Sequence, residues 1–291
     1  MQADLANVEA VQAACCQQDV VFHCGARASD WGSQTDFFRS NVLGTRHVIR
    51  GCQIHAVKRL VHVSTPSIYF YYRPRLDIRE DDPLPNRPMN EYAHSKRLAE
   101  QEVDRAFKQG LQAVTIRPSA VFGPGDRIIL PRIIDRLQRG VLPIIGDGSC
   151  VADLTYVENV VDALILCAGA PDPVVGRKYN ITNGEPVHIW RLIEQVCNRL
   201  RLPPPARRVP YALADTMAWA LEAVWRAVGR NDEPPLTRYS VARIGLSSSL
   251  DISAAKRDLG YIPRISLDTA LNQTLEAWRS GGKLMNTESQ Q

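Results

Sequence analysis

The chain has 291 residues, of which 45% are hydrophobic and 23% are charged. This is the composition of a globular protein and excludes a disordered or fibrous chain. No apolar run approaches the roughly 18–20 residues that a membrane-spanning helix needs. The net charge of +4 comes from basic residues that are scattered along the chain rather than grouped in a block. We therefore expect no nucleic-acid partner.

The seven cysteines are odd in number and include no Cys-x-x-Cys pair. Because a zinc site needs clustered ligands at defined spacing, the sequence predicts no metal site. Residues 1–4 do not begin a basic region followed by an apolar core, as a signal peptide would. Together these features predict reduced cysteines and a cytoplasmic location.

Strand and helix signals alternate through the first two thirds of the chain. The predicted strands lie at 19–24, 59–65 and 113–116, the predicted helices lie at 35–52, 91–109 and 128–137, and the alternation continues through 157–168 and 179–182. Thr35 is the expected N-cap of the first of these helices. Alternation of this kind indicates βαβ units and a parallel sheet.

The pattern changes after Gly184. Helices are predicted at 187–200 and 211–228, and no further strong parallel strand follows. Such a shift is typical of a smaller C-terminal lobe that follows a sheet domain.

Tyr92 and Lys96 form the strongest chemical signal, because they lie four residues apart on a predicted helix. That spacing puts both side chains on one face, with Cβ atoms about 5–6 Å apart. A tyrosine with a pKa near 10 is a poor acid–base catalyst at neutral pH. A neighbouring ammonium favours the phenolate and lowers that pKa. The pair therefore predicts proton transfer to or from an alcohol or carbonyl oxygen, with a surface pair of no function as the alternative.

Two polar residues are candidates for the same site. Thr65 ends a predicted strand, and open α/β sheets place their ligand sites at the carboxyl ends of strands. Its hydroxyl is expected to hold a substrate oxygen beside Tyr92, or else to cap a turn. Asn41 lies inside a predicted helix, which is a poor position for asparagine. A buried amide there either ties the helix to a strand or relays a proton by way of water.

These residues stand among motifs that resemble, in their order, those of the extended short-chain dehydrogenases/reductases. Tyr92-x-x-x-Lys96 matches the catalytic pair of that family, and Val63-Ser64-Thr65 resembles its Ser/Thr site. The other matching segments are Gly25-Ala26 after a strand, the Asn-x-x-Gly-Thr helix at 41–45, the segment at 117–125, and residues 145–148, 155–160 and 179–184. The motifs extend over about residues 3–275, and the ordered set is more specific than any one motif.

Within that superfamily, the chain is most similar to the 3β-hydroxysteroid dehydrogenase-like group. The segments that carry this similarity are 66–70, 78–82, 236–241 and 251–256. Sugar-nucleotide epimerases usually have glycine where this chain has Phe70, which argues against a nucleotide-sugar substrate.

The resemblance implies an α/β fold, with a Rossmann-like parallel sheet and helices on both faces, N-terminally incomplete, and a smaller C-terminal substrate lobe. Residues 1–185 are expected to form mostly the NAD(P)-binding domain and residues 186–291 mostly the lobe. Some interleaving is expected, with about 124–152 joining the lobe.

The resemblance also implies hydride transfer between NAD or NADP and a secondary alcohol or ketone. It assigns Tyr92 as the acid–base, Lys96 as the group that lowers its pKa and orients the ribose, and Thr65 as the partner of the substrate oxygen. Asn41 is assigned to support the relay. The implied cofactor-binding residues are Asp4 (at the adenine), Leu5, Gly25, Ala26, Tyr92, Lys96, Pro118 and Val121.

The glycine-rich phosphate loop of the family has no counterpart in this sequence, which begins at a segment resembling the one after the third strand of the family. A late-called start, a truncated gene, or a short chain that uses the scaffold otherwise would each explain this. We expect an exposed hydrophobic edge at the strand of 19–24, marginal stability and weak dinucleotide binding.

A lipophilic substrate, steroid-like or carrying a 3-hydroxy or 3-oxo group, is expected. The helix at 211–228 carries Met217, Trp219, Leu221, Val224 and Trp225, which suit such a substrate or a membrane surface, with core or homodimer packing as the alternative. Two other functions stay open: a nucleotide-sugar epimerase or dehydratase on the same scaffold, and a catalytically inactive remnant or scaffold protein.

Overall fold

Residues 3–230 and 232–288 are described by a computed structural model of the chain. The helices are α1 (Val8–Ala14), α2 (Gln34–Phe37), α3 (Gly44–Ile54), α4 (Glu91–Lys108), α5 (Ile129–Gln138), α6 (Val157–Ala168), α7 (Ile189–Leu200), α8 (Tyr211–Ala227), α9 (Arg238–Gly245), α10 (Ser253–Leu259) and α11 (Leu267–Glu288). The strands are β1 (Val20–His23), β2 (Arg59–Val63), β3 (Arg75–Ile78), β4 (Ala113–Pro118), β5 (Val121–Phe122), β6 (Ile144–Ile145), β7 (Val151–Ala152), β8 (Thr155–Tyr156), β9 (Lys178–Ile181), β10 (Val187–His188), β11 (Arg208–Val209) and β12 (Ser248–Leu250).

Four parallel strands form the central sheet in the order β1-β2-β4-β9. Their register pairs Val21 with Leu60, Val61 with Val114, and Ile116 with Tyr179. Because helices connect these strands, the sheet confirms the predicted Rossmann-like α/β fold. Within the described residues β1 pairs with β2 alone, and the Phe22 side chain on it is 44% exposed.

Helices cover both faces of the sheet because side chains alternate along each strand. Leu60 of β2 packs in a core with α1, α3 and α4, whereas Val61 packs in the core on the opposite face with α6 and α10. The first core contains Val11, Cys15, Val48, Ile49, Cys52, Val103 and Ala106 beside Leu60, and the second contains Val160, Ala163, Cys167, Ile252, Ala255 and Leu259 beside Val61.

The helix predicted at 35–52 consists of three segments. Ser33, not Thr35, caps α2, because the Ser33 hydroxyl accepts the amide of Asp36 at 3.1 Å. A π-helical segment, Phe38–Leu43, then joins α2 to α3. The expected cap at Thr35 is therefore wrong by two residues, since serine and threonine are equally plausible caps on composition alone.

A third apolar core contains no residue of the central sheet. It joins side chains of 137–150 to side chains of α7, α8 and α9: Leu137, Leu142, Ile145, Cys150, Trp190, Ile193, Cys197, Ala214, Ala218 and Val241. In contrast, Ile252 and Tyr261 pack on the central sheet. The division of the chain near residue 185 stays a prediction.

One face of α8 carries exposed apolar side chains. Met217, Trp219 and Val224 are each more than half exposed, whereas Ala214 and Ala218 face the core. Core packing is therefore wrong for these three side chains, whereas Leu221 and Trp225 are partly buried. None of the helices among residues 3–230 and 232–288 has the length and apolar character to cross a membrane.

A buried ion pair fixes α4 to β4. The Arg117 guanidinium donates to both carboxylate oxygens of Glu100, at 2.8 and 2.6 Å, and both side chains are almost fully buried. Burial is the largest single effect and works against the charged form of Glu100, but the charge and hydrogen bonds of Arg117, together with weaker contributions from its other neighbours, outweigh it and hold the pKa of that carboxyl below its usual value. Each partner therefore depends on the other.

Removing one partner should be costly. We expect Arg117→Met to lower the free energy of unfolding by about 3–5 kcal/mol, because it leaves the Glu100 carboxylate buried without its counter-charge. The control is Arg46→Met, which removes an exposed partner of Glu102, a residue of α4 like Glu100. This substitution should lower the free energy of unfolding by at most about 1 kcal/mol. Urea unfolding followed by circular dichroism measures both values, and equal losses would contradict the argument.

Candidate active site

The predicted site residues converge at the carboxyl edge of the central sheet. Gly25 follows β1, Thr65 follows β2, and Pro118 ends β4. Because these strands are parallel neighbours, their carboxyl ends lie at one edge, where sites form in open α/β sheets. The first turns of α4, with Tyr92 and Lys96, pack beside this edge.

Tyr92 lies in the first turn of α4, which Asn90 caps by accepting the amide of Ala93 at 2.9 Å. The Tyr92 ring packs against Phe37, with ring centroids 6.4 Å apart. Burial raises the pKa of the Tyr92 hydroxyl to about 12, and interaction with the Thr65 hydroxyl opposes that rise. Tyr92 is therefore protonated at neutral pH in this structure.

Lys96 is 2% exposed, and its ammonium donates to the Val63 carbonyl oxygen at 2.7 Å. Burial lowers the pKa of Lys96 to about 8, although Glu100 and Cys24 partly offset this effect. The expectation that Lys96 lowers the pKa of Tyr92 is not met here. The ammonium is held at the end of β2, and the group that lowers the Tyr92 pKa is Thr65.

Thr65 caps a turn, as one of the two interpretations of the sequence predicted, and its contact with a substrate oxygen stays a prediction. Its hydroxyl accepts the amide of Ser67 at 3.2 Å and so caps the 3₁₀ turn Pro66–Tyr69. The same hydroxyl donates to the Ser67 hydroxyl at 3.0 Å and interacts with Tyr92. A capping residue is thus also the neighbour of the candidate acid–base.

Asn41 is a buried tie between elements. Its side-chain oxygen accepts the amide of Arg27 at 2.7 Å, and its side-chain nitrogen donates to the Arg27 carbonyl and to the Ser95 hydroxyl. Ser95 in turn donates to the Tyr92 carbonyl at 2.9 Å. Asn41 therefore connects the loop after β1 to the first turn of α4, and it acts on Tyr92 through Ser95 rather than directly.

Four of the predicted cofactor residues gather at the end of β1. Leu5 packs on Gly25 so closely that a Cβ at Gly25 would lie 3.1 Å from the Leu5 Cδ1 atom. Ala26 is exposed beside Gly25, and Asp4 is exposed next to Leu5, where it accepts the Ala6 amide at 2.8 Å.

The other two predicted cofactor residues lie at and beyond the end of β4. Pro118 is buried in the last position of that strand, where it pairs with Ile181. Val121 lies in β5, and its partly buried side chain packs against the core on the α6 face.

A cleft of about 660 Å³ is lined in part by Phe37, whose ring packs against that of Tyr92. Its apolar walls include Trp31, Phe37 and Met89, and Tyr239 lines it from α9. Asp30 and Arg87 are among its charged groups. The cleft has the size and the mixed lining that small-molecule sites commonly have.

Three side chains near Tyr92 were not predicted from the sequence. Asp30 raises the Tyr92 pKa through its negative charge, Tyr239 lies near Tyr92, and Ser67 is hydrogen-bonded to Thr65. The Thr-x-Ser spacing after β2 is a signal for Ser67, because hydroxyl side chains two residues apart cap turns. No local pattern distinguishes Asp30, and Tyr239 lies in the segment 236–241 that carried the family similarity but was given no role in the site.

Comparison with known proteins supplies the family. Residues 1–211 match the model of the 3-beta hydroxysteroid dehydrogenase/isomerase family. The chain is 34% identical to a 2-alkyl-3-oxoalkanoate reductase of Shewanella oneidensis, over 94% of this chain and 73% of that protein. It is 31% identical to a decarboxylating sterol-4-alpha-carboxylate 3-dehydrogenase of Mus musculus, over 94% of this chain and 78% of that protein.

The fold also matches solved structures. MoeE5 in complex with UDP-glucose and NAD superposes with a TM-score of 0.74 at 26% identity, over 97% of this chain and 85% of that chain. The family match covers more than half of the chain and includes Asn41, Thr65, Tyr92 and Lys96. The chain therefore belongs to the 3-beta hydroxysteroid dehydrogenase/isomerase family.

Proposed function

We propose that the chain is an NAD(P)-dependent oxidoreductase that interconverts a secondary alcohol and a ketone. The observation that carries the proposal is the placement of Tyr92, Thr65 and Lys96 together at the carboxyl edge of the sheet, where the Lys96 ammonium donates to the Val63 carbonyl two residues before Thr65. The relatives named above, a reductase and a dehydrogenase, support the same reaction class.

The residues at this edge fit a nicotinamide dinucleotide. The Lys96 ammonium has three N–H donors, of which the Val63 carbonyl takes one, so donors remain for ribose hydroxyls. The MoeE5 complex with NAD supports this choice of ligand. When bound, NAD or NADP supplies or accepts the hydride. We propose that it is held by Asp4, Leu5, Gly25, Ala26, Tyr92, Lys96, Pro118 and Val121.

The protein side chains then handle the proton. Tyr92, protonated at neutral pH, donates its hydroxyl proton to the ketone oxygen during reduction and takes it back during oxidation. Thr65 presents its hydroxyl to the same substrate oxygen. Asn41 holds the first turn of α4 in place through Ser95, which keeps the Tyr92 hydroxyl at a constant position.

For the substrate, we propose a lipophilic molecule that is steroid-like or carries a 3-hydroxy or 3-oxo group. Trp31, Phe37 and Met89 in the cleft support an apolar body. The Shewanella relative is named as a reductase of a 3-oxo acid, and the mouse relative is named as a dehydrogenase of a sterol carboxylate. A cytoplasmic location, membrane-surface association and a homodimer all stay predictions. The exposed apolar face of α8 is the surface that we propose for a membrane contact or a dimer contact.

A nucleotide sugar is the second candidate substrate, because the MoeE5 structure contains UDP-glucose. The two candidates separate in one experiment. The purified chain is incubated with NADH or NADPH and either a 3-oxosteroid or a 2-alkyl-3-oxo acid, and separately with NAD⁺ or NADP⁺ and UDP-glucose, and the products are identified by mass spectrometry. Reduction of either 3-oxo compound supports the proposal. Conversion of UDP-glucose alone supports the second candidate, and no turnover of any compound supports an inactive remnant.

Removal of the Tyr92 hydroxyl should abolish most turnover. We expect Tyr92→Phe to lower kcat by at least about 100-fold, the low end for a positioned acid–base. Tyr156→Phe, which removes a hydroxyl that is bonded to Gln273, should keep kcat close to that of the wild type. Steady-state assays at 340 nm measure both values, and retained turnover in Tyr92→Phe would refute the role of Tyr92.

The charge of Lys96 should give cofactor binding a pH dependence. Because its pKa is lowered to about 8, the ammonium is charged at neutral pH and loses its proton as the pH rises through that value. We therefore expect NADH affinity to fall above pH 8 in the wild type. Lys96→Met should bind weakly at neutral pH and show little further loss.

The matched control is Lys58→Met, which removes an exposed lysine paired with Asp19. It should keep the wild-type pH dependence. NADH fluorescence titrations across the pH range measure these affinities. An unchanged pH dependence in Lys96→Met would show that another group is responsible.

A further inference from the structure

A line of hydroxyl groups leads from Tyr92 to the cleft. Thr65 interacts with the Tyr92 hydroxyl, and it donates to the Ser67 hydroxyl at 3.0 Å. The Ser67 hydroxyl lies 2.7 Å from the Tyr239 hydroxyl, and either atom can be the donor. Tyr239 is also one of the residues that line the cleft. We refer to Thr65, Ser67 and Tyr239 together as the hydroxyl chain.

The hydroxyl chain is shielded along its length. Thr65 and Ser67 are 6% and 4% exposed, and the ring of Tyr239 packs against the core that contains Ile68, Tyr69 and Phe70. A buried hydroxyl without partners is costly, and here each one is hydrogen-bonded to the next. Because each hydroxyl both donates and accepts, all the hydrogen bonds in the line can exchange donor and acceptor while every oxygen keeps its partners.

We propose that the hydroxyl chain relays protons between the cleft and Tyr92, so that Ser67 and Tyr239 are positioning residues for the acid–base. The proposal rests on the function proposed above. It assigns a role in the reaction to a residue of α9, 172 positions along the chain from Ser67.

The proton transfers balance in the direction of reduction. The Tyr92 proton moves to the substrate oxygen and forms the alcohol O–H bond. Thr65 then gives its proton to Tyr92, Ser67 gives its proton to Thr65, and Tyr239 gives its proton to Ser67. A buffer acid or hydronium ion in the cleft restores the proton of Tyr239. In the direction of oxidation every transfer runs the opposite way.

The charged groups around the hydroxyl chain come from several elements. Asp30, in the loop after β1, faces both tyrosines and disfavours their phenolate forms. Arg243 of α9 faces Tyr239 and favours its phenolate form. Asp30 itself faces Arg132 and Glu233, and burial raises its pKa. The negative charge near both hydroxyls opposes a lasting phenolate, which favours concerted transfer along the hydroxyl chain.

The test uses the full chain and three variants of the relay. Ser67→Ala removes the central hydroxyl, Ser67→Thr restores one at the same place, and Tyr239→Phe removes the hydroxyl at the cleft. Tyr261→Phe is the control, because it removes a buried hydroxyl that donates to Thr182 instead. Thermal melting confirms that each variant is folded.

The first measurement needs no substrate. Tyrosine labelled with ¹³C at Cζ gives one signal per residue, and Tyr92→Phe identifies the Tyr92 signal. In mixed H₂O and D₂O, fast hydroxyl exchange gives a single averaged line, whereas slow exchange gives two resolved lines. We expect an averaged line for Tyr92 in the wild type, Ser67→Thr and Tyr261→Phe. Ser67→Ala and Tyr239→Phe should give two lines.

The second measurement is the reduction of a 3-oxosteroid by NADH. We expect Ser67→Ala and Tyr239→Phe to lower kcat about 10-fold or more, less than the roughly 100-fold loss expected without the acid–base itself. Their solvent isotope effect should increase while KM stays near that of the wild type. Ser67→Thr should recover most of kcat.

Each outcome decides the proposal. Unchanged exchange at Tyr92 in Ser67→Ala overturns the relay, even if Tyr92→Phe is inactive and the proposed function holds. A change in KM or melting temperature alone, with the exchange and kcat of the wild type, assigns Ser67 and Tyr239 a structural role and also overturns it. Full activity in Tyr92→Phe overturns the proposed function, and the relay with it.

Discussion

The site depends on the packing of α4 against the ends of β2 and β4. Three buried polar contacts fix this helix: Lys96 donates to the Val63 carbonyl, Arg117 pairs with Glu100, and Asn41 donates to Ser95. Buried polar groups of this kind are costly unless each is paired, and the geometry of the pairs is directional. They therefore hold α4 in one rotation about its axis, which keeps Tyr92 beside Thr65.

The same burial creates the central chemical difficulty of the site. It raises the pKa of Tyr92 to about 12 and lowers that of Lys96 to about 8, so it disfavours charge on both residues. Tyr92 is consequently a ready proton donor, but its phenolate needs stabilisation once the proton has left. Thr65 is the group in this structure that provides it. Hydrogen bonds are stronger in a low-dielectric interior, which makes that single hydroxyl effective.

Much of this arrangement follows from local sequence. The apolar runs predicted the ends of β1 and β2 to within two residues of their observed positions. The four-residue spacing of Tyr92 and Lys96 predicted that both lie on one helix. The choice between Ser33 and Thr35 as a cap and the π-helical segment after α2 depend on packing that spacing does not encode. The position of the Lys96 ammonium also depends on packing. It contacts a carbonyl 33 residues away, and its distance from Tyr92 follows from that contact rather than from helix periodicity.

Tyr239 was beyond the reach of sequence reasoning for the same reason, and its position has a physical consequence. Its bond to Ser67 joins the turn after β2 to α9, and the neighbouring strands β3 and β12 pair with each other. The side of the candidate site that contains Ser67 and Tyr239 is thus built from two distant parts of the chain. Tyr239 lines the cleft, and Phe37, which also lines it, packs against the ring of Tyr92. The wall of the cleft and the candidate acid–base are therefore positioned by one set of contacts, and a shift of α9 alters both together.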